Sequence, residues 1–114
     1  MSAGQITQGR RVYPDAEGKL HFSEPGDYGK LPSGQWRIRL PRWTNEVLNE
    51  WTRTEGCKEF SVILGPPESK NHTVTEHEDG TISASPSILW GADYGMGERG
   101  AWHGYLERGV WREV

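Results

Sequence analysis

The sequence predicts a single, mainly β domain: a small antiparallel β-sandwich or partly open barrel built from β-hairpins, with one short helix. Three observations carry that expectation. Fifteen glycines and seven prolines among 114 residues impose many turns and leave little room for long helices. Apolar residues alternate with polar ones in QWRIRL, the period of a half-buried strand, and EFSVIL places Phe60, Val62 and Leu64 on one face of a second strand. Two turn signatures, E-D-G and E-R-G, each separate a pair of strand-like runs, the local pattern of a hairpin.

A chain of this length buries roughly 65% of its unfolded surface, enough for one core without staples. The apolar share is only 33%, but six Trp, four Tyr and two Phe each bury about 150–250 Å². The division expected is a flexible N-terminal segment over residues 1–11, polar and small, and one β-rich domain over 12–114. The formal charge of −3 and the pI near 5.8 argue against a sequence-independent nucleic-acid binder, which presents a basic face. Arg37, Arg39 and Arg42 form a local basic cluster, but Glu46 and Glu50 follow closely, the composition of a solvated surface. Cys57 stands alone, so neither an internal disulfide nor a multi-cysteine zinc site forms, which suits a reducing cytoplasm. No apolar run approaches the roughly 20 residues of a membrane span, and MSAGQITQGRRVY lacks the core of a signal peptide. The expectation is a protein outside the membrane.

Along the chain, Val12–Tyr13 and Leu20–His21–Phe22 read as short extended pieces around the turn PDAEG. In GQWRIRLP, Trp36, Ile38 and Leu40 point one way and Arg37 and Arg39 the other, and Pro41 closes the strand. TNEVLNEW is the helix: Thr44 caps it, Val47, Leu48 and Trp51 share a face, and it ends before Gly56. KEFSVILGPP gives a second strand with Phe60, Val62 and Leu64 on one face.

HTVTEHEDGTISAS then forms a hairpin. A three-residue loop, Glu78-Asp79-Gly80, with Gly80 left-handed in a bulge, pairs His77 with Thr81, Glu76 with Ile82 and Val74 with Ala84. Val74, Ile82 and Ala84 share a face in that register. Ser85-Pro86-Ser87 breaks this hairpin, and GADYGMGERG, with four glycines in ten residues, reads as a loop. In WHGYLERGVWREV the same device with Glu107-Arg108-Gly109 sets Tyr105 across from Trp111 and His103 across from Glu113. One face then holds Trp102, Leu106, Val110 and Val114, the other Tyr105, Trp111, His103 and Glu113.

The segments DGTISASPSIL and WHGYLERGVW resemble a family of small proteins encoded in phage and prophage genomes. Its members carry D-G-T-I-x-x-S-P-S-[IL] followed by [CW]-H-[GS]-[FYW]-[IL]-x-x-G. The matching positions are Asp79, Gly80, Thr81, Ile82, Ser85, Pro86, Ser87 and Ile88, then Trp102, His103, Gly104, Tyr105, Leu106 and Gly109. The resemblance covers residues 72–114. Some relatives carry paired cysteines upstream and Cys before the His, where this chain has Trp102 and only Cys57. The resemblance implies a phage or prophage origin and an all-β leaning, and it implies no activity.

His103 beside Glu113 is the candidate catalytic pair, because a carboxylate orients an imidazole for general-base work. The same pair is also an ordinary cross-strand contact, and neither a G-x-S-x-G elbow nor a phosphate-loop G-K-[ST] accompanies it. His72, His77 and His103 are the imidazoles that a metal would use, yet His72 and His77 fall on opposite faces of the expected strand, so no metal and no cofactor is assigned. The candidate binding residues are Trp90, Tyr94, Trp102, His103, Tyr105 and Trp111, since Trp and Tyr are the usual interface anchors. The functional expectation is a phage-encoded, non-catalytic binding protein that contacts a host or phage protein in the host cytoplasm or a virion. The alternatives are a metal-dependent or His-based hydrolase centred on His103, and a virion structural component. Self-association is compatible with each of them.

Overall fold

The computed structural model describes residues 5–55, 61–66, 71–90 and 101–114. Cys57, Phe60 and the loop containing Tyr94 lie outside these residues. In chain order the elements are β1 (Ile6–Gln8), β2 (Arg10–Val12), β3 (Asp27–Lys30), β4 (Trp36–Ile38), α1 (Asn45–Glu55), β5 (Val62–Leu64), β6 (Thr73–Glu76), β7 (Ile82–Trp90), β8 (Trp102–Glu107) and β9 (Val110–Glu113). They form two sheets, ordered β1-β9-β8-β7-β6 and β2-β3-β4-β5. Every described pairing is antiparallel except β2 with β3. The protein is mainly β, its sheets do not close into a barrel, and one core lies between them, an arrangement compatible with a small sandwich.

That core takes Tyr28, Trp36, Ile38, Leu40 and Leu64 from the four-stranded side and Ile82, Ala84, Ile88, Trp102, Leu106 and Trp111 from the other. Trp43, Val47 and Leu48 close it at one edge, where Trp43 meets Trp51 and Trp90 at ring-centroid distances of 6.3 and 5.9 Å. The helix begins as its sequence requires. Thr44 Oγ1 accepts the Val47 N–H at 3.3 Å, and the Thr44 carbonyl accepts the Leu48 N–H. It runs to Glu55, past the Trp51 that ends its apolar face.

The first C-terminal hairpin has the expected register, with Val74 opposite Ala84 and Glu76 opposite Ile82. Gly80 is left-handed at φ 87°, and the His77 N–H donates to the Thr81 carbonyl. Five expectations are corrected. Residues 6–12, expected as part of a frayed segment, form β1 and β2, because β9 and β3 offer them free strand edges. Ser85-Pro86-Ser87 does not end a strand: β7 runs through it, with a cis Ser85–Pro86 bond and a bulge in which these three residues stand against Tyr105 alone. Arg39, expected in solvent, is buried; its Nε donates to the Trp43 carbonyl and its Nη2 to Asn45 Oδ1. Those bonds answer the polar demand of a buried guanidinium, and burial still pulls its pKa down. Leu20–Phe22, expected as an extended piece, forms no strand; the sheet instead takes Asp27–Lys30.

The fifth correction bears on function. The last hairpin is one residue out of the expected register: Leu106 faces Trp111, Tyr105 faces Arg112 and Gly104 faces Glu113. Its loop is the two residues Arg108 and Gly109, at φ 48° and 78°, the conformation of a type I′ turn. Non-local burial decides the register. With this pairing the Trp111 indole is completely buried, packs edge-on against Trp102 at 5.4 Å and donates Nε1–H to the Gly26 carbonyl at 2.9 Å. Burying an indole outweighs the roughly 1–2 kcal/mol that a non-glycine residue spends in the left-handed region.

Candidate functional site

A one-residue slip exchanges the two faces of a strand, so the last hairpin presents a different surface from the one its sequence suggests. Trp102 and Trp111 point into the core, and Trp90 packs partly buried against it. These three indoles are structural supports. His103 and Tyr105 are exposed on the opposite face of the five-stranded sheet, and Tyr94 lies outside the described residues.

That outer face is organised in rows by the strand register. Ile6, Arg112 and Tyr105 make one row across β1, β9 and β8. Leu89 and His103 make the next, across β7 and β8, and the Val114 N–H donates to the His103 carbonyl beside them. Ile6 and Leu89 are each 65% exposed, Val114 57% and Tyr105 43%. Of the five large hydrophobic side chains exposed among the described residues, only Tyr13 lies elsewhere. Such clustering on one sheet face differs from the scattered exposure of an ordinary surface. Arg112 stacks its guanidinium over Tyr105, 5.8 Å from the ring centroid, and pairs with Glu107 at 2.9 Å. The face is thus largely apolar, with Arg112 set between Ile6 and Tyr105 and paired with Glu107. A shallow cleft of about 200 Å³ between Ile6, Tyr105, Val110 and Arg112 breaks its flatness.

The histidines also find partners. His103 Nε2 lies 3.3 Å from Ser87 Oγ, and His72 Nε2 lies 3.0 Å from the Ser87 carbonyl oxygen. His77 Nε2 is 2.8 Å from Ser83 Oγ. His103 and Glu113 do not pair. Glu113 sits on the inward-facing side of β9 and forms an ion pair with Arg42, so the candidate catalytic dyad dissolves. The bulge in β7 creates a serine–imidazole contact that sequence spacing did not reveal, since it needs three residues of β7 set against one of β8. Among the described residues the His103 ring has no carboxylate partner. His72, His77 and His103 do not assemble with a carboxylate, and no group of three or more His, Cys, Asp or Glu among the described residues is placed to hold a metal ion.

Most of the residues in DGTISASPSIL and WHGYLERGVW have a structural explanation. Asp79 Oδ1 accepts both the N–H and the hydroxyl of Thr81 in the first turn, which holds the Asp79 carboxyl below its ordinary pKa. Ile82, Ile88, Trp102 and Leu106 fill the core. Gly104 lies where a Cβ would come within 2.2 Å of the Arg112 carbonyl oxygen, inside contact distance. Ser85, Pro86, His103 and Tyr105 are exposed and Ser87 is half-buried.

No helix among the described residues is long and apolar enough to cross a membrane. Comparison of the chain with protein-family models, with curated proteins and with solved structures finds no match.

Proposed function

We propose that this protein is a non-catalytic binding protein that captures a protein partner through the outer face of its five-stranded sheet. The observation that carries this reading is the collection of Ile6, Leu89, Tyr105 and Val114 on that one face, with the Arg112–Glu107 ion pair among them. An apolar centre with an Arg–aromatic pair has the composition of a recognition surface for folded protein. The resemblance over residues 72–114 supports a phage or prophage setting, with a host or phage protein as the partner, in the host cytoplasm or a virion.

The double variant Leu89→Ser/Tyr105→Ser tests it, because neither side chain fills the core. The expected result is a folded protein that no longer retains from bacterial lysate the partner held by the immobilised wild type. Retention of the same proteins by both would sink the reading. Light scattering of the purified wild type tests the virion-component alternative, which requires self-assembly.

The contact between His103 Nε2 and Ser87 Oγ favours a second reading, a His-based hydrolase. His103 would take the Ser87 hydroxyl proton as the oxygen attacks an ester carbonyl and return it to the alcohol that leaves, and water activated by the same imidazole would then release the acyl group as the acid. The absence of a carboxylate orienting the ring among the described residues ranks it second. Turnover of a p-nitrophenyl ester that disappears in Ser87→Ala would reverse the ranking.

A further inference from the structure

The five-stranded sheet has two edges, and they are built differently. At β6, Glu76 is held by Arg11 and Lys30 at 3.1 and 3.3 Å. Val74 of the same strand lies against Gly65, where a Cβ would come within 2.8 Å of Val74 Cγ2. Charge on an edge strand and cover from another segment are the usual guards against pairing with a further strand. β1, at the opposite edge, carries neither charge nor proline, and its Ile6 and Gln8 are exposed.

The register fixes which backbone groups that edge presents. Along an antiparallel pair, residues alternate between those bonded to the neighbour and those whose N–H and C=O turn away from it. The Glu113 N–H donates to the Gln5 carbonyl and the Gly9 N–H to the Gly109 carbonyl, so Gln5, Thr7 and Gly9 turn toward β9. Ile6 and Gln8 therefore aim their N–H and C=O groups away from β9, and these have no backbone partner among the described residues. Their order is self-complementary. A second β1 running the other way, with the two Thr7 residues opposite each other, sets Ile6 of each copy against Gln8 of the other. Every outward N–H then meets an outward carbonyl.

We propose that this edge pairs with a second copy of the chain, β1 against β1 across a two-fold axis at Thr7, joining the two five-stranded sheets into one. The two Ile6 side chains, on the face that also carries Tyr105 and Leu89, lie diagonal to each other across the axis, within reach of contact. An isologous contact uses the same strand in both copies and closes after one pairing, so association stops at a dimer. The contact is small, and monomer and dimer exchange freely. The pairing uses the edge of the sheet rather than its outer face, and it stands whether or not that face captures a partner.

Analytical ultracentrifugation of the full chain over a range of concentrations tests the assignment, with circular dichroism to confirm that each variant is folded. The weight-average mass is expected to rise from 12.9 kDa towards twice that value, with a Kd of about 10–300 µM. Gln8→Pro removes only an N–H turned away from β9, a position where an edge strand tolerates proline, and is expected to weaken association at least about tenfold. Ile6→Glu and Ile6→Lys each set like charges across the axis. Each is expected to stay monomeric alone, and their equimolar mixture to associate again. Leu89→Ser/Tyr105→Ser is expected to associate as the wild type does. A wild type that is monomeric at about 1 mM overturns the assignment. So does a dimer that survives Gln8→Pro, a mixture of the two charge variants that stays monomeric, or loss of association in folded Leu89→Ser/Tyr105→Ser, which would move the contact to the outer face.

Discussion

Leu106 and Trp111 face each other across the last hairpin with both side chains fully buried. That pairing obliges Arg108 to occupy the left-handed region, which asparagine enters more readily. Arg108→Asn is expected to stabilise the protein by about 0.5–1 kcal/mol, because the Arg108 N–H bond to Ser83 Oγ is kept. Gly109→Ala is expected to cost about 2 kcal/mol, since it combines backbone strain with a Cβ placed 2.6 Å from Tyr28 Oη. Thermal denaturation of the two variants reads opposite signs.

The two faces of the hairpin differ in what they contribute to stability. Trp111→Phe removes the bond to the Gly26 carbonyl and is expected to cost about 2 kcal/mol. Tyr105→Ser is expected to stay within about 0.5 kcal/mol of wild type. Urea unfolding monitored by fluorescence distinguishes them, and equal losses would mean that the face assignment is wrong.

Asp27 is the buried acid that ties the chain before β3 to β2. It accepts two bonds from Arg10, at 3.1 and 2.8 Å, and backbone N–H groups from Ser23 and Glu24. Asp27→Ala leaves these donors without their acceptor, and a loss of about 3 kcal/mol is expected. Asp27→Asn keeps the shape but not the charge, and should fall between the two in denaturant midpoint.

Among the described residues three carboxyls titrate below their ordinary range: Asp15 at about 2, through the Lys19 N–H and then His21; Glu76, through Arg11 first; and Asp79, through the Thr81 hydroxyl first. A depressed folded-state pKa stabilises the protein above the unfolded value of about 4 and loses that contribution as pH falls through the folded value. The melting temperature is therefore expected to drop between about pH 4 and 2. Asp15→Asn and Glu76→Gln should each flatten that drop.

Where the information was local, the sequence was legible. The Glu78-Asp79-Gly80 turn, the Thr44 cap and the alternation of Trp36, Ile38 and Leu40 need only neighbours a few residues away. The misplaced register of the last hairpin has a different origin. Glu107-Arg108-Gly109 satisfies two loop lengths, and the choice is made by the Trp111 indole reaching the Gly26 carbonyl, a distant partner in sequence. Asp27–Lys30 carries no alternating pattern and becomes a strand through its neighbours β2 and β4. The outer-face patch was hidden for the same reason: Ile6 and Leu89 join Tyr105 only when β1, β9, β8 and β7 lie side by side.

The pairing of β1 with β9 carries a consequence for the order of assembly. Ile6 meets Arg112, about a hundred residues downstream, so the closure entropy of nearly the whole described chain stands between the two strands. During synthesis, residues 6–8 emerge long before the strand they pair with exists. The five-stranded sheet therefore receives its earliest-made strand last. Until then its neighbour β2, joined to it through Gly9 and paired with β3, keeps those residues near their eventual place.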